Sequence, residues 1–208
     1  TADGVVSLFS DTYTDVDFSA GTWRSQYSGD SDHTILDVGG NAVHQYENMD
    51  FAIIENFAQI DASTKGTFHI TVQRTGDDPD TVLGVKLVNY NTGQWDSDPN
   101  LRPEHEFLFD VSDVPAGQWV TLELPMSDAT GLTQTGNIAQ VIVSSRIPNS
   151  LAGQENQPDL IGSGETLYVD NMFFSDKVQL TAPPAPQYDA TADGVVSLFS
   201  DTYTDVDF

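Results

Sequence analysis

The chain is 208 residues long and carries 32 acidic against 7 basic side chains, for a formal charge of −25. That length suits a single β-sandwich core, and the charge repels nucleic acids, whose binding depends on cations that replace condensed counterions; anionic membranes and polyanionic glycans are disfavoured by the same repulsion. The chain has no cysteine, which removes disulfides and thiolate metal sites, and its apolar residues fall in short runs, none long enough to cross a bilayer. Neutral ligands and cations fit this balance best. Nothing like a secretory leader opens the sequence, so one is expected upstream.

In chain order, apolar and polar residues alternate over residues 5–9, over 44–46 leading into 51–55, and then over 67–74, 83–89, 106–111, 119–124, 139–144 and 166–174. This pattern predicts eight or more strands. Between them, Gly39-Gly40, Asp77-Asp78-Pro79, Asn91-Thr92-Gly93, Pro115-Ala116-Gly117 and Gly162-Ser163-Gly164 supply the positive or fixed φ that turns require. One short turn of helix is expected over 126–132, with Ser127 as its cap. Many short strands without βαβ alternation predict an all-β fold over residues 1–176, a two-sheet antiparallel β-sandwich of jelly-roll type.

Residues 181–190 read TAPPAPQYDA, and their three prolines favour an extended spacer, so 177–190 is read as a linker. Beyond it, residues 191–208 repeat residues 1–18, TADGVVSLFSDTYTDVDF, without a single change. The second copy reads as the opening of the next module in a tandem array of identical units. Tethered weak sites in such an array gain avidity through effective concentration.

Catalytic patterns are missing. A jelly-roll glucanase places three carboxylates on one strand as Glu-x-Asp-x-x-Glu to set its nucleophile and acid/base across the cleft, and that string does not occur. Neither a Gly-x-Ser-x-Gly elbow, a His-Glu-x-x-His motif nor a phosphate-cradling glycine loop is present. Glu104-His105-Glu106 puts two carboxylates on one strand face, a pattern commoner at polar edges than in active sites. The four histidines, His33, His44, His69 and His105, lack the spacing of a helical metal site. The acidic run Asp11, Asp15 and Asp17 has the hard oxygens that calcium prefers, although the turn glycine and terminal glutamate of an EF-hand are absent.

Three late segments carry a family resemblance: Trp119-Val-Thr-Leu-Glu-Leu-Pro, Ile138-Ala-Gln-Val-Ile-Val and Leu167-Tyr-Val-Asp-Asn-Met-Phe-Phe resemble the closing strands of jelly-roll carbohydrate-binding modules. The opening Val6-Ser-Leu-Phe-Ser-Asp-Thr-Tyr-Thr-Asp-Val, with Thr22-Trp-Arg-Ser-Gln-Tyr, looks like modules that accompany laminarinases, related polysaccharide-degrading enzymes and surface glycan-binding proteins. The resemblance implies a secreted or cell-surface, non-catalytic module that binds a neutral polysaccharide, a β-1,3-glucan such as laminarin being the expected ligand. It also implies one structural Ca2+ held by Asp11 and Asp15 with Asp170 of the closing string, and a packed core position for Trp119.

Sugars are gripped by aromatic faces that stack on the apolar side of a pyranose, helped by polar groups that take its hydroxyls. Trp23, Arg24 and Tyr27 form one expected platform, and Trp95 on the loop of residues 91–100 another, with Asp32, His33, Lys86, Asn89, Arg102 and Arg146 as further hydrogen-bonding groups. Trp23 serves stacking or packing equally well. A calcium-stiffened structural or adhesive repeat without sugar binding is the alternative that the array and the acidic charge would equally produce.

Overall fold

The computed structural model describes residues 4–151, 153–154 and 158–176. The 177–190 linker and the 191–208 repeat lie outside the described residues. Eleven strands form two antiparallel sheets and, among the described residues, no helix.

Each sheet is organised around one long strand with a divided edge. In the first, β11 (Leu167–Asp176) pairs on one side with β5 (Lys65–Arg74), which in turn pairs with β8 (Val120–Pro125). Its other side is shared by β3 (Asn41–Glu47) at Leu167 to Val169 and by β1 (Val5–Phe9) at Met172 to Ser175. β2 (Asp32–Val38) lies outside β3, reached through Gly39 and Gly40, whose φ of 70° and 93° allow a two-residue hairpin turn. In the second sheet, β9 (Ile138–Pro148) pairs with β6 (Val82–Asn89) and so with β7 (Glu104–Phe109). Its other edge is shared by β4 (Phe51–Ile60) and the short β10 (Leu160–Gly162).

Alternation decides what the sheets bury. Along β5, Phe68, Ile70, Val72 and Arg74 point inward while Thr67, His69, Thr71 and Gln73 face out. Phe68, Ile70 and Val72 meet Ile54, Val85, Leu87, Val141 and Val143 of the second sheet in one core, each such side chain contributing about 1.5–3 kcal/mol by leaving water. β6 and β9 break the alternation and are buried almost throughout. The reason is a small second cluster, Val88, Tyr90 and Ala139 with Ile142, on the outer side of that sheet. The expected helix over 126–132 is a series of turns: Asp128 N–H bonds Pro125 O at 2.9 Å and Leu132 N–H bonds Ala129 O at 2.9 Å. Ser127 caps nothing there, its hydroxyl donating to Asp128.

Two buried polar devices interrupt the apolar interior. Arg74 and Glu165 form an ion pair with side chains only 3% and 4% exposed, Nε lying 3.2 and 3.1 Å from the two carboxylate oxygens. The same carboxylate accepts from Gly76 N–H at 2.6 Å and from the Ser145 hydroxyl of β9, so it ties one sheet to the other. At the other device, His44 of β3 lies fully buried with Nδ1 at 2.9 Å from His33 Nε2. Its ring packs 4.2 Å from Phe9 and 4.1 Å from Trp23, and its Nε2 has no partner.

Candidate functional site

The register across the second sheet sets its outward residues in rungs. Glu55, Gln140, Val88 and Glu104 form one, and Ile53, Ile142, Lys86 and Glu106 the next. Beside them the segment of residues 22–29 runs along the free edge of β4: Thr22 exchanges backbone hydrogen bonds with Glu55, and Ser25 N–H donates to Ile53 O at 2.9 Å. This edge places Tyr27 on one flank of the sheet face. On the other rises the β6–β7 connection, whose Trp95 lies under the Arg102 guanidinium at 5.8 Å. Arg102 holds that loop by donating to Asp96 O at 3.1 Å and to Glu104 at 2.6 Å, while Gln59 donates to Gly93 O at 2.8 Å.

Between the flanks lies a cleft of about 1080 Å³. Its floor is apolar, made by Ile53, Ile142, Ala139 and Tyr90. Burial, followed by the Glu55 charge, pushes the Tyr90 phenol up to about 12 against a smaller opposing pull from Arg102, so its hydroxyl stays a neutral donor. Tyr27 and Trp95 remain 71% and 62% exposed at the rim. Glu55 is held rigidly, accepting from the Ser25 hydroxyl on one oxygen and from Gln140 Nε2 at 2.6 Å on the other. Such a site offers aromatic faces for C–H surfaces and a fixed carboxylate and amides for hydroxyls. Glu55 is the carboxylate that lines it.

Of the residues expected from sequence, Tyr27, Trp95 and Arg102 line this cleft. Trp23 and Arg24 do not. The Trp23 ring stacks on Phe18 at 3.9 Å and 12°, meets Phe9 edge-on at 5.5 Å and lies 4.1 Å from the His44 ring, so it packs among other rings. Arg24 turns to Ser31 Oγ and Gly29 O, each at 3.2 Å. Trp119 reverses its expected role, since it immediately precedes β8 and remains 46% exposed, 6.3 Å from the Tyr168 ring. Glu104 and Glu106 lie on β7 as ion-pair partners of Lys86, at 3.2 and 3.7 Å. Lys86 is thereby engaged, as are His33 with His44, Arg146 with Asp50 at 3.0 Å, and the buried Asn89 with Asn91 at 2.6 Å. Asp32 accepts from Asn48 at 3.4 Å.

Asp11, Asp15 and Asp170 are not gathered into a donor set. Asp15 accepts from the Ser7 hydroxyl at 2.6 Å, whereas Asp170 accepts from Asn41 at 3.1 Å and from Asn171 N–H at 2.7 Å, and Asp11 is exposed. Among the described residues no three His, Asp or Glu side chains are placed to hold a metal ion.

Sequence reading passed over Glu55, Gln140, Tyr90 and Ser25. Gln140 carried a signal: it is a polar residue interrupting the apolar run of β9, a position that must face either a partner or a ligand.

No protein-family model matches the chain, and no curated protein sequence matches it. Solved structures do. The chain is similar to the family 30 carbohydrate-binding module of the cellulosomal cellulase Cel9D-Cel44B of Clostridium thermocellum, with a TM-score of 0.55 at 10% identity over 84% of this chain and 98% of that one. It is also similar to the family 11 module of Lic26A-Cel5E from the same organism, at TM-score 0.50 and 12% identity, covering 85% of this chain and 97% of that one. A family 11 module of Clostridium thermocellum in complex with a β-1,3-1,4-mixed-linked tetrasaccharide matches at TM-score 0.51 and 12% identity, over 85% of this chain and 98% of that one. At this identity the likeness is one of fold: the chain has the jelly-roll fold of carbohydrate-binding modules.

Proposed function

We propose that this module binds a neutral polysaccharide, without acting on it chemically, in the cleft between Tyr27 and Trp95. The observation that carries this reading is the pair of aromatic side chains left 71% and 62% exposed on either side of an apolar floor. Apolar surface gathered in a groove with a polar rim marks a ligand site more than scattered exposed rings do, and the charge of −25 favours uncharged sugars over acidic ones. A β-glucan with 1,3-linkages, laminarin or a mixed-linkage chain, is the preferred ligand, in keeping with the tetrasaccharide held by the similar family 11 module. In this reading the module works outside the cell as one unit of the tandem array that the repeated eighteen residues describe.

Calorimetric titration with laminarin and mixed-linkage β-glucan tests it. Trp95→Ala and Tyr27→Ala are each expected to weaken binding by about 1–3 kcal/mol, roughly five- to 150-fold, with the melting temperature nearly unchanged because neither ring belongs to the core. Affinity should vary little with salt, since no ion pair forms with a neutral chain. Absence of binding to every neutral glycan tried would leave the adhesive-spacer reading in its place, and release of new reducing ends would show a catalyst.

A further inference from the structure

The cleft occupies the outer face of the second sheet, and the outer face of the first points the opposite way. Tyr168 of β11 stands there between Gln45 of β3 and Gln73 of β5, and Thr34 of β2 continues the row past Gln45. On the other side Val72 faces Val120, which brings Trp119 alongside Gln73, and the Trp119 ring reaches to 6.3 Å from that of Tyr168, tilted by 52°. Residues paired across a sheet share a face. Thr34, Gln45, Tyr168, Gln73 and Trp119 therefore form one row across the sheet, roughly 19 Å long at about 4.8 Å per strand.

The row is held in place from beneath and from its end. Gly117, at φ 74°, donates its N–H to Arg74 O at 2.7 Å, and its carbonyl accepts from Gln73 Nε2 at 2.9 Å, which pins the turn that presents Trp119. Gln45 Nε2 donates to the Tyr168 hydroxyl at 3.4 Å. Trp119 nonetheless stays 46% exposed. An amide has two N–H groups and an oxygen, so each glutamine keeps donor and acceptor capacity for a hydroxyl. In a chain of charge −25, none of these five is a charged residue. Asp170, next outward on β11, keeps its carboxylate on Asn41 and the Asn171 N–H, and Glu123 lies further along β8, 4.0 Å from His69. Rings set among uncharged amides suit a sugar, whose C–H face stacks and whose hydroxyls take neutral partners. A protein partner would want a more apolar centre.

We propose that this row is a second binding surface for a neutral glycan, so that one module holds two chains on opposite faces and bridges them. The class of ligand rests on the reading of the cleft, whereas the place is independent of it.

Short and long glycans separate the two faces in the full chain. Laminarihexaose is expected to bind the parent at two sites and Trp119→Ala in the cleft alone, affinity for the row falling about five- to 150-fold with its aromatic anchor. Thr121→Arg keeps the ring but crowds the row from an exposed position on β8, and should do the same. A long mixed-linkage β-glucan should turn turbid with the parent and stay clear with Trp119→Ala or Trp95→Ala, each of which holds one chain. Of the three tryptophans, Trp23 is packed among rings, so acrylamide quenching of Trp95→Phe reports Trp119, and laminarihexaose should reduce it. A single site in the parent that Trp119→Ala and Thr121→Arg leave unchanged overturns the proposal, as does quenching in Trp95→Phe that the sugar does not alter. Quenching that falls as protein concentration rises, without sugar, would show a second copy on the row and overturn it equally. Binding that survives Trp95→Ala and Tyr27→Ala but not Trp119→Ala would remove the cleft reading and keep this one.

Discussion

Replacing Glu165 by alanine is expected to destabilise the module by about 3–5 kcal/mol, the cost of stranding one member of a buried ion pair. Arg74 cannot shed its proton to escape, and its side chain is 3% exposed. Removing the carboxylate also strips Gly76 N–H and the Ser145 hydroxyl of their acceptor. Glu165→Gln should recover a part of the loss, because an amide oxygen still accepts one hydrogen bond while the guanidinium keeps an uncompensated charge. Removing both charges together, as Arg74→Met with Glu165→Leu, should cost less than Glu165→Ala alone, since the penalty lies in the unpaired ion more than in the lost attraction. Equilibrium denaturation in urea reads all three variants. A loss under about 1 kcal/mol for Glu165→Ala would mean that water reaches Arg74.

Acid is expected to remove a comparable amount through the histidine pair. Burial, with a smaller contribution from His33, holds the His44 pKa down at about 3 from an ordinary 6.5, and burial together with Arg24 also lowers that of His33. A histidine with a folded pKa below its unfolded one binds a proton on unfolding, so its contribution to stability is fully present above about pH 6.5 and is lost as the pH falls toward about 3. For His44 the full loss is on the order of 4–5 kcal/mol. Few carboxylates titrate between pH 6.5 and 5, so a decline of stability in that interval belongs to the histidines. His44→Phe keeps a ring against Phe9 and Trp23 and should flatten this part of the curve. An unchanged slope in that variant would place the acid sensitivity elsewhere.

The fold class was legible because alternation survives in strands with one wet face: residues 67–74 and 119–124 fall within or beside β5 and β8. β2 was not. Its sequence, DHTILDV, lies at an edge that buries little on either side, so no apolar face is imprinted on it. The site divides in the same way. Tyr27 and Trp95 stand out as large rings among polar neighbours, a local property. Glu55, Gln140 and Tyr90 become neighbours only through the register of β4, β9 and β6, which no single segment records. Trp23 was ambiguous because its neighbours in sequence are polar while its neighbours in space are Phe9, Phe18 and His44. For the carboxylates Asp11, Asp15 and Asp170, spacing along the chain says nothing of the partners, Ser7 and Asn41, that two of them take.

That same edge strand has a consequence for life in a crowded setting. β2 shows Ile35 and Val38 to solvent at the open margin of its sheet, with a row of backbone groups ready to pair with another chain. Asp32 and Asp37 stand on either side of Ile35, and Asp37 directly precedes Val38. An incoming copy of β2 would bring its own pair of aspartates against them and bury like charges, which disfavours lateral stacking of one molecule on another. At the opposite margin β8 carries Glu123 and ends on Pro125, which has no N–H to offer a newcomer. Part of the acidic excess therefore acts as insulation, letting many copies stand close together without zipping into a fibre.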